Sequence, residues 1–149
     1  MSAMQRRKGA NFERKIVRML KARLPHATIR RGKQSHLADE CDVPIVGAGD
    51  PWDSLWMELQ DARRPTPRLK LAQAIADAQK AAERDGKPRL PMVVWHRLGE
   101  RTIQVTCPEW VLESAALDRG MTFVEPGAGD AFDHLLVTMD FADLLAVLP

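Results

Sequence analysis

The sequence predicts a layered α/β or α+β domain, with a mixed β-sheet flanked by helices. Two observations carry that prediction. Apolar spacing switches between helical and strand periods in the order helix, three strands, helix, two strands, then further helical elements. The chain has 149 residues, 45% hydrophobic and 28% charged, which is enough for one domain with a real core and too short for two comfortable ones.

The first helix is GANFERKIVRMLKARL, residues 9–24. Phe12, Ile16 and Leu20 recur at helical spacing, and Val17 and Leu24 widen the stripe. Asn11 is placed to cap its start, and Pro25 lies just past its end. ATIRR (27–31) is a short strand, ADECDVPIV (38–46) a second that carries Asp42, and SLWMELQ (54–60) a third. A Gly/Asp/Pro turn joins the last two. TPRLKLAQAIADAQKAAERDGK (66–87) is a helix, with Pro67 suited to its first turn and Gly86 to its stop. Leu71, Ile75, Ala78 and Ala82 form its apolar stripe; Lys70, Gln73, Asp77, Lys80 and Arg84 form a polar one. LPMVVWH (90–96) and RTIQVTC (101–107) are strands around the turn RLGE. PEWVLESAAL (108–117) is a helix and residues 118–133 are loop-like. The tail HLLVTMDFADLLAVL (134–148) is a strand and then a helix, with Asp140 as its cap. One domain over 1–149 is expected, with its core over residues 5–106 and an acidic extension over 107–149.

Composition excludes several classes. No apolar run reaches the roughly 20 residues of a membrane span. The basic N-terminus MSAMQRRKGANFERK has no apolar region of the kind a secretory signal needs. Cys41 and Cys107 are too few for a disulfide framework, and no CxxC or Cys/His cluster points to zinc, so a reduced, cytoplasmic protein is expected. Both cysteines read as small core residues.

A net charge of +2 hides an asymmetry. Residues 1–33 hold 11 Lys/Arg and one acid, Glu13; residues 98–149 hold two Lys/Arg and nine Asp/Glu. Such a basic arm fits a polyanion, most often nucleic acid. The alternative is a solvated basic helix, and charge alone leaves it open.

Phosphodiester hydrolysis needs charge offset on the phosphoryl oxygens, a deprotonated water and a stabilised leaving oxygen. Mg²⁺, with hard oxygen ligands, supplies much of this. Asp42 and Glu58 are the acids placed for it, on two strands joined by a turn. Alternation puts Trp56, Glu58 and Gln60 on one face of the third strand, and Leu55, Met57 and Leu59 on the other. A carboxylate among buried neighbours needs a partner, and a metal is one. An edge strand with Glu58 facing water explains the same spacing. Glu13 borders the apolar stripe of the first helix; it either points to the sheet or pairs within a helix crowded with bases.

KGANFERKIVRML, DECDVPIV, WMELQ and a helix containing AQAIADA, in this order, resemble the PD-(D/E)xK nuclease superfamily, and within it the archaeal-type Holliday junction resolvases and their phage relatives. Lys8, Gly9, Glu13 and Arg14 match the opening basic helix of that branch. Arg30 or Arg31, then Asp42-Val43, then Glu58-Leu59-Gln60 fall at its later motif positions. The resemblance covers residues 5–97. It implies a restriction-endonuclease-like fold, a central four- to five-stranded mixed sheet with a helix on each side. It implies an Mg²⁺-dependent endodeoxyribonuclease, with Mn²⁺ as the substitute metal. Asp42 and Glu58 would hold the metal, the Leu59 carbonyl would be a further ligand, and Glu13 would support the metal or its water. Arg6, Arg7, Lys8, Arg14, Arg30, Arg31 and Lys33 would grip phosphates. Branched DNA as substrate, a homodimer and a phage origin in a host cytoplasm belong to the same implication; no membrane partner is expected.

Two positions depart from the family pattern. Cys41 replaces the proline before the motif Asp, which tunes geometry only. Gln60 replaces the motif lysine, whose ammonium positions the attacking water and offsets transition-state charge. Some restriction enzymes carry Gln or Glu there, so activity is not forbidden. Lys70 offers a cation from the next helix, and Gln73, one turn on along the same polar face, is a further DNA-binding candidate. A solvated helix face is the alternative for Lys70, and Lys33 and Arg63 are weaker candidates. A DNA-binding protein without catalysis is the main rival reading, and an interaction protein with no preference for DNA shape is the other.

Among the remaining polar residues, His26, His36, His96 and His134 show no ligand spacing and read as surface or packing, with His36 nearest Asp42 in sequence. Trp52, Trp56, Trp95 and Trp110 are candidates for stacking on bases. Trp56 and Trp95 suit the core better, and Trp110 a dimer contact.

Overall fold

A computed structural model describes residues 2–32, 40–116 and 136–149. Helix α1 spans Ala3–Arg23, six residues earlier than apolar spacing predicts. Its first turns carry no apolar stripe, so periodicity is blind to them. Ser2 starts it instead through a capping box: its hydroxyl accepts from the Gln5 N–H (3.2 Å), and the Gln5 side chain accepts from the Ser2 N–H (3.0 Å). Asn11, the expected cap, lies inside the helix and accepts from Arg14. Phe12, Ile16, Val17 and Leu20 are its buried stripe.

The next two strands are much shorter than expected. β1 (Thr28–Ile29) and β2 (Ile45–Val46) pair antiparallel in a separate two-stranded sheet. Asp42 therefore does not sit on a strand. Pro44, without an N–H, cannot extend β2 backward as a ladder. Single bonds replace the ladder: Gly32 N–H to the Asp42 carbonyl (2.7 Å), and Asp42 N–H to the Met57 carbonyl (3.0 Å). Gly32 is required there, because a Cβ would fall 2.2 Å from the Cys41 carbonyl oxygen.

After a 3₁₀ turn at Trp52–Ser54 come β3 (Leu55–Ala62), α2 (Pro67–Asp85), β4 (Leu90–Arg97), β5 (Gln104–Pro108), α3 (Glu109–Ala116), β6 (Leu136–Asp140) and α4 (Phe141–Val147). Pro67 occupies the first turn of α2, and Gly86 ends it at φ 62°, in the left-handed region. The main sheet is mixed, in the order β3-β4-β5-β6. β3 and β4 are parallel, with α2 as the crossover, and Glu58 lies opposite Val93 and Asp61 opposite His96. The other two pairings are antiparallel.

Alternation along β3 separates two apolar clusters. Leu55, Met57 and Leu59 pack with Phe12, Ile16 and Leu20 of α1 and with α3 and α4. Trp56 and Val93 pack on the other face, against Leu71, Ala74, Ala78 and Ala81 of α2. The α2 stripe is rotated from the expected one, and Ile75 and Ala82 are only partly buried. Cys41 and Cys107 are buried free thiols, as the sequence implies.

The described residues of the C-terminal segment are part of the core rather than an extension to it. β6 is the fourth strand, and Phe141, Leu144 and Leu145 of α4 are buried. Arg23 of α1 donates to the Leu145 and Leu148 carbonyls (3.1 and 2.9 Å) and stacks over Trp52, whose indole N–H donates to Pro149. Trp52 is thus buried and closed to bases. Asp140 precedes α4 but does not cap it with its side chain, which accepts from Gln104 (2.7 Å). The loop expected over 118–133, and His134, lie outside the described residues. No helix among the described residues is long and apolar enough to cross a membrane.

Met57 has no exposure at the centre of the larger cluster. Met57→Ala is expected to destabilise the fold by about 2–5 kcal/mol in denaturant unfolding. Gly32→Ala is expected to cost about 1–3 kcal/mol, because a carbonyl must move to admit the methyl group.

Candidate metal and nucleic-acid site

β3 is the outer strand of the sheet, and its free edge is met by the irregular segment around Asp42. The Asp42 N–H donates to the Met57 carbonyl, and the Asp42 carboxylate accepts from the Leu59 N–H at 2.8 Å. The Asp42 backbone and side chain thus take two hydrogen bonds that a neighbouring strand would take. In an extended strand the N–H and C=O of one residue point to the same edge. The Leu59 carbonyl is therefore aimed toward Asp42.

Glu58 reaches Asp42 from the α2 face of β3. Its carboxylate accepts from the Trp56 indole N–H at 3.1 Å. Burial, together with the charge of Asp42 and a hydrogen bond to it, pushes the Glu58 carboxyl up to about 8, against the opposing pull of Lys70 and of Trp56. The sequence-predicted pair is brought together, and the two carboxyl groups resist ionising at once. Lys70, partly buried in the first turns of α2, is close enough to act on Glu58 electrostatically.

Next to this pair lies an open basin of about 1390 Å³. Glu13, Asp42, Leu59, Asp61 and Lys70 contribute to its lining, and Arg6, Arg7, Arg14 and Arg31 supply its basic wall. Glu58 is not part of that lining and touches the basin only through Asp42. Glu13 points inward as its spacing allows, and it is held by Arg31 Nε at 2.5 Å.

Other predicted residues fall elsewhere. The Gln60 amide donates to the Thr66 hydroxyl (3.1 Å) and accepts from the Thr66 N–H (2.9 Å), so it fastens the start of α2. Arg30 turns away from the basin and forms a two-pronged pair with Glu40. Gln73 is exposed and donates to Asp77. Lys8 lines a neighbouring groove. Arg63 is exposed. Lys33 and His36 lie outside the described residues.

Two residues of the site were not read from the sequence. Asp61 lines the basin, and His96 stands beside it with Nδ1 2.9 Å from Asp61 Oδ1 and Nε2 2.5 Å from the Glu100 carbonyl. Burial works against a charged imidazole, but Asp61 and that carbonyl outweigh it and raise the His96 pKa. His96 also stacks on Phe12. Alternation was a usable signal for Asp61, since it shares a face with Leu59; its pairing with His96 depends on the register of β3 with β4.

Among the described residues, no three His, Cys, Asp or Glu side chains form a metal cage. The donor set is two adjacent carboxyl groups and an edge carbonyl. That set fits Mg²⁺, which keeps several waters and needs only one or two carboxylates. It suits softer or more fully caged metals poorly. Compared with protein-family models, curated proteins and solved structures, the chain shows no match.

The raised Glu58 pKa has a definite sign for the metal-free protein. Between about 4.5 and about 8 the folded chain keeps a proton that the unfolded chain has released. Stability from this group is therefore complete below about pH 4.5 and is lost as pH rises to about 8. Glu58→Gln is expected to flatten this decline in thermal unfolding followed across that range in a chelator.

Proposed function

We propose that this chain is an Mg²⁺-dependent endodeoxyribonuclease that hydrolyses phosphodiesters by direct attack of water. The observation that carries the reading is the Asp42–Glu58 carboxyl pair, approached by Lys70, at the edge of a basin walled by arginines. Bound there, Mg²⁺ would offset charge on the phosphoryl oxygens and acidify a water. The chain's own residues do the rest. The Leu59 N–H orients the Asp42 carboxylate, and the Leu59 carbonyl faces the same edge. Lys70 brings a cation to the side of the pair where the superfamily's lysine would act, and it stabilises negative charge developing on the phosphate. Arg6, Arg7 and Arg14 hold flanking phosphates. Arg31 does the same while anchored by Glu13. No covalent intermediate is needed, and the cut leaves a 5′-phosphate. By the family resemblance the substrate is branched DNA, cut by a homodimer in a cytoplasm, in a phage-infected host.

A second reading has its own observation. Both polar atoms of the Gln60 amide are committed to Thr66. The position of the motif lysine thus has a structural task, as expected of a nuclease fold that binds DNA without cutting it.

Cleavage of four-way junction, nicked, duplex and single-stranded DNA in Mg²⁺ or Mn²⁺ separates the two. The endonuclease reading expects Asp42→Ala to bind without cutting. It expects Lys70→Ala to slow cleavage about 10²–10³-fold. Gln60→Ala is expected to lower stability by about 1 kcal/mol, like loss of a helix cap, with cleavage nearly unchanged. Wild-type binding with no cleavage in either metal establishes the second reading instead.

A further inference from the structure

We propose that a second phosphate track runs over the exposed face of α1, leading DNA out of the basin into the groove between α1 and the β4–β5 turn. It rests on reading the basin as a DNA site. The groove, about 400 Å³, is lined by Lys8, Lys15 and Arg18 and has His96 at its side. It shares Asn11 and Asp61 with the basin, so the two concavities adjoin.

Helical spacing accounts for the track. Residues 8, 11, 15 and 18 lie on one face of α1 at steps of three and four. Arg7 and Arg14 lie on the adjoining face, toward the basin. Arg14 and Lys15 are consecutive and so diverge by about 100° around the helix axis. The bases therefore wrap the exposed side of α1 from one concavity to the other. Lys8 and Arg18 are about 15 Å apart along the axis, the length of roughly four base-pair steps.

The local charge balance favours a polyanion. Asp61 is the acid that lines the groove, and His96 holds it at 2.9 Å. Arg31 and Arg30, by contrast, are already paired with Glu13 and Glu40. Among the described residues no carboxylate pairs with Lys8, Lys15 or Arg18. Their countercharge is left to solvent ions, which a phosphate backbone would displace.

The test is the salt dependence of duplex DNA binding, followed by fluorescence anisotropy in chelator so that cleavage plays no part. Lys15→Gln/Arg18→Gln is compared with wild type, with Arg7→Gln/Arg14→Gln in the basin wall, and with Lys80→Gln on the exposed side of α2. Loss of two phosphate contacts is expected to reduce the slope of log K against log salt by about 2 in both double variants. Lys80→Gln is expected to leave it unchanged. All substituted side chains are exposed, so thermal midpoints check that the fold persists. An unchanged slope in Lys15→Gln/Arg18→Gln overturns the track, and so does a wild type that does not bind DNA. A reduced slope in that variant, with no cleavage by the wild type in metal, leaves the track standing and removes the nuclease.

Discussion

The attachment of Asp42 to the outer edge of β3 is the constraint on which the site depends. One backbone bond to Met57 and one side-chain bond from Leu59 hold it. The attachment needs Gly32, where any side chain would strike the Cys41 carbonyl. It places a carboxylate beside Glu58 without a strand to carry it, and it turns the Leu59 carbonyl toward the same point. An unpaired edge is ordinarily a liability to be covered; here the cover is the segment that carries Asp42.

β3 divides the molecule's tasks. Its Leu55–Met57–Leu59 face lies on the larger core with α1, while its Trp56–Glu58–Gln60 face lies under α2. The acids reach the edge from both sides, Glu58 from the α2 face and Asp61 from the α1 face. Two carboxyl groups that resist joint ionisation make the metal-free site electrostatically unfavourable. A divalent cation relieves that, as does a proton or the approach of Lys70. Arg6, Arg7 and Arg14 of the basin wall lie on α1, Arg31 follows β1, and Lys70 lies on α2. The α1 arginines and Lys70 therefore come from opposite layers of the sheet.

Gln60 and Lys70 are linked through the start of α2. A residue two positions after Glu58, on the same face, meets the beginning of α2. Gln60 uses both atoms of its amide to fasten that beginning. The helix so fastened carries Lys70 one turn later. The Gln60 amide on the strand and the Lys70 ammonium on the helix thus share a single local structure.

The sequence by itself determined the elements with strong periodicity. The α2 crossover with Pro67 and Gly86 at its ends, β3 with its alternation, β4 as an apolar run, and the apolar stripe of α1 were all legible, and with them the mixed sheet. Local patterns suffice there because each element buries a regular face. The pairing of Asp42 with Glu58 was also foreseen, but on a longer strand than exists. Tertiary structure decided what periodicity does not encode. The early start of α1 rests on a cap, Arg30 turns away because Glu40 is within reach, β6 joins the sheet by pairing with β5, and the end of α4 is held by Arg23 and Trp52. Asp61 and His96 meet because β3 and β4 run parallel in one register. Each of these is a contact between residues distant in sequence or a hydrogen bond of single side chains, and neither leaves a repeat to read.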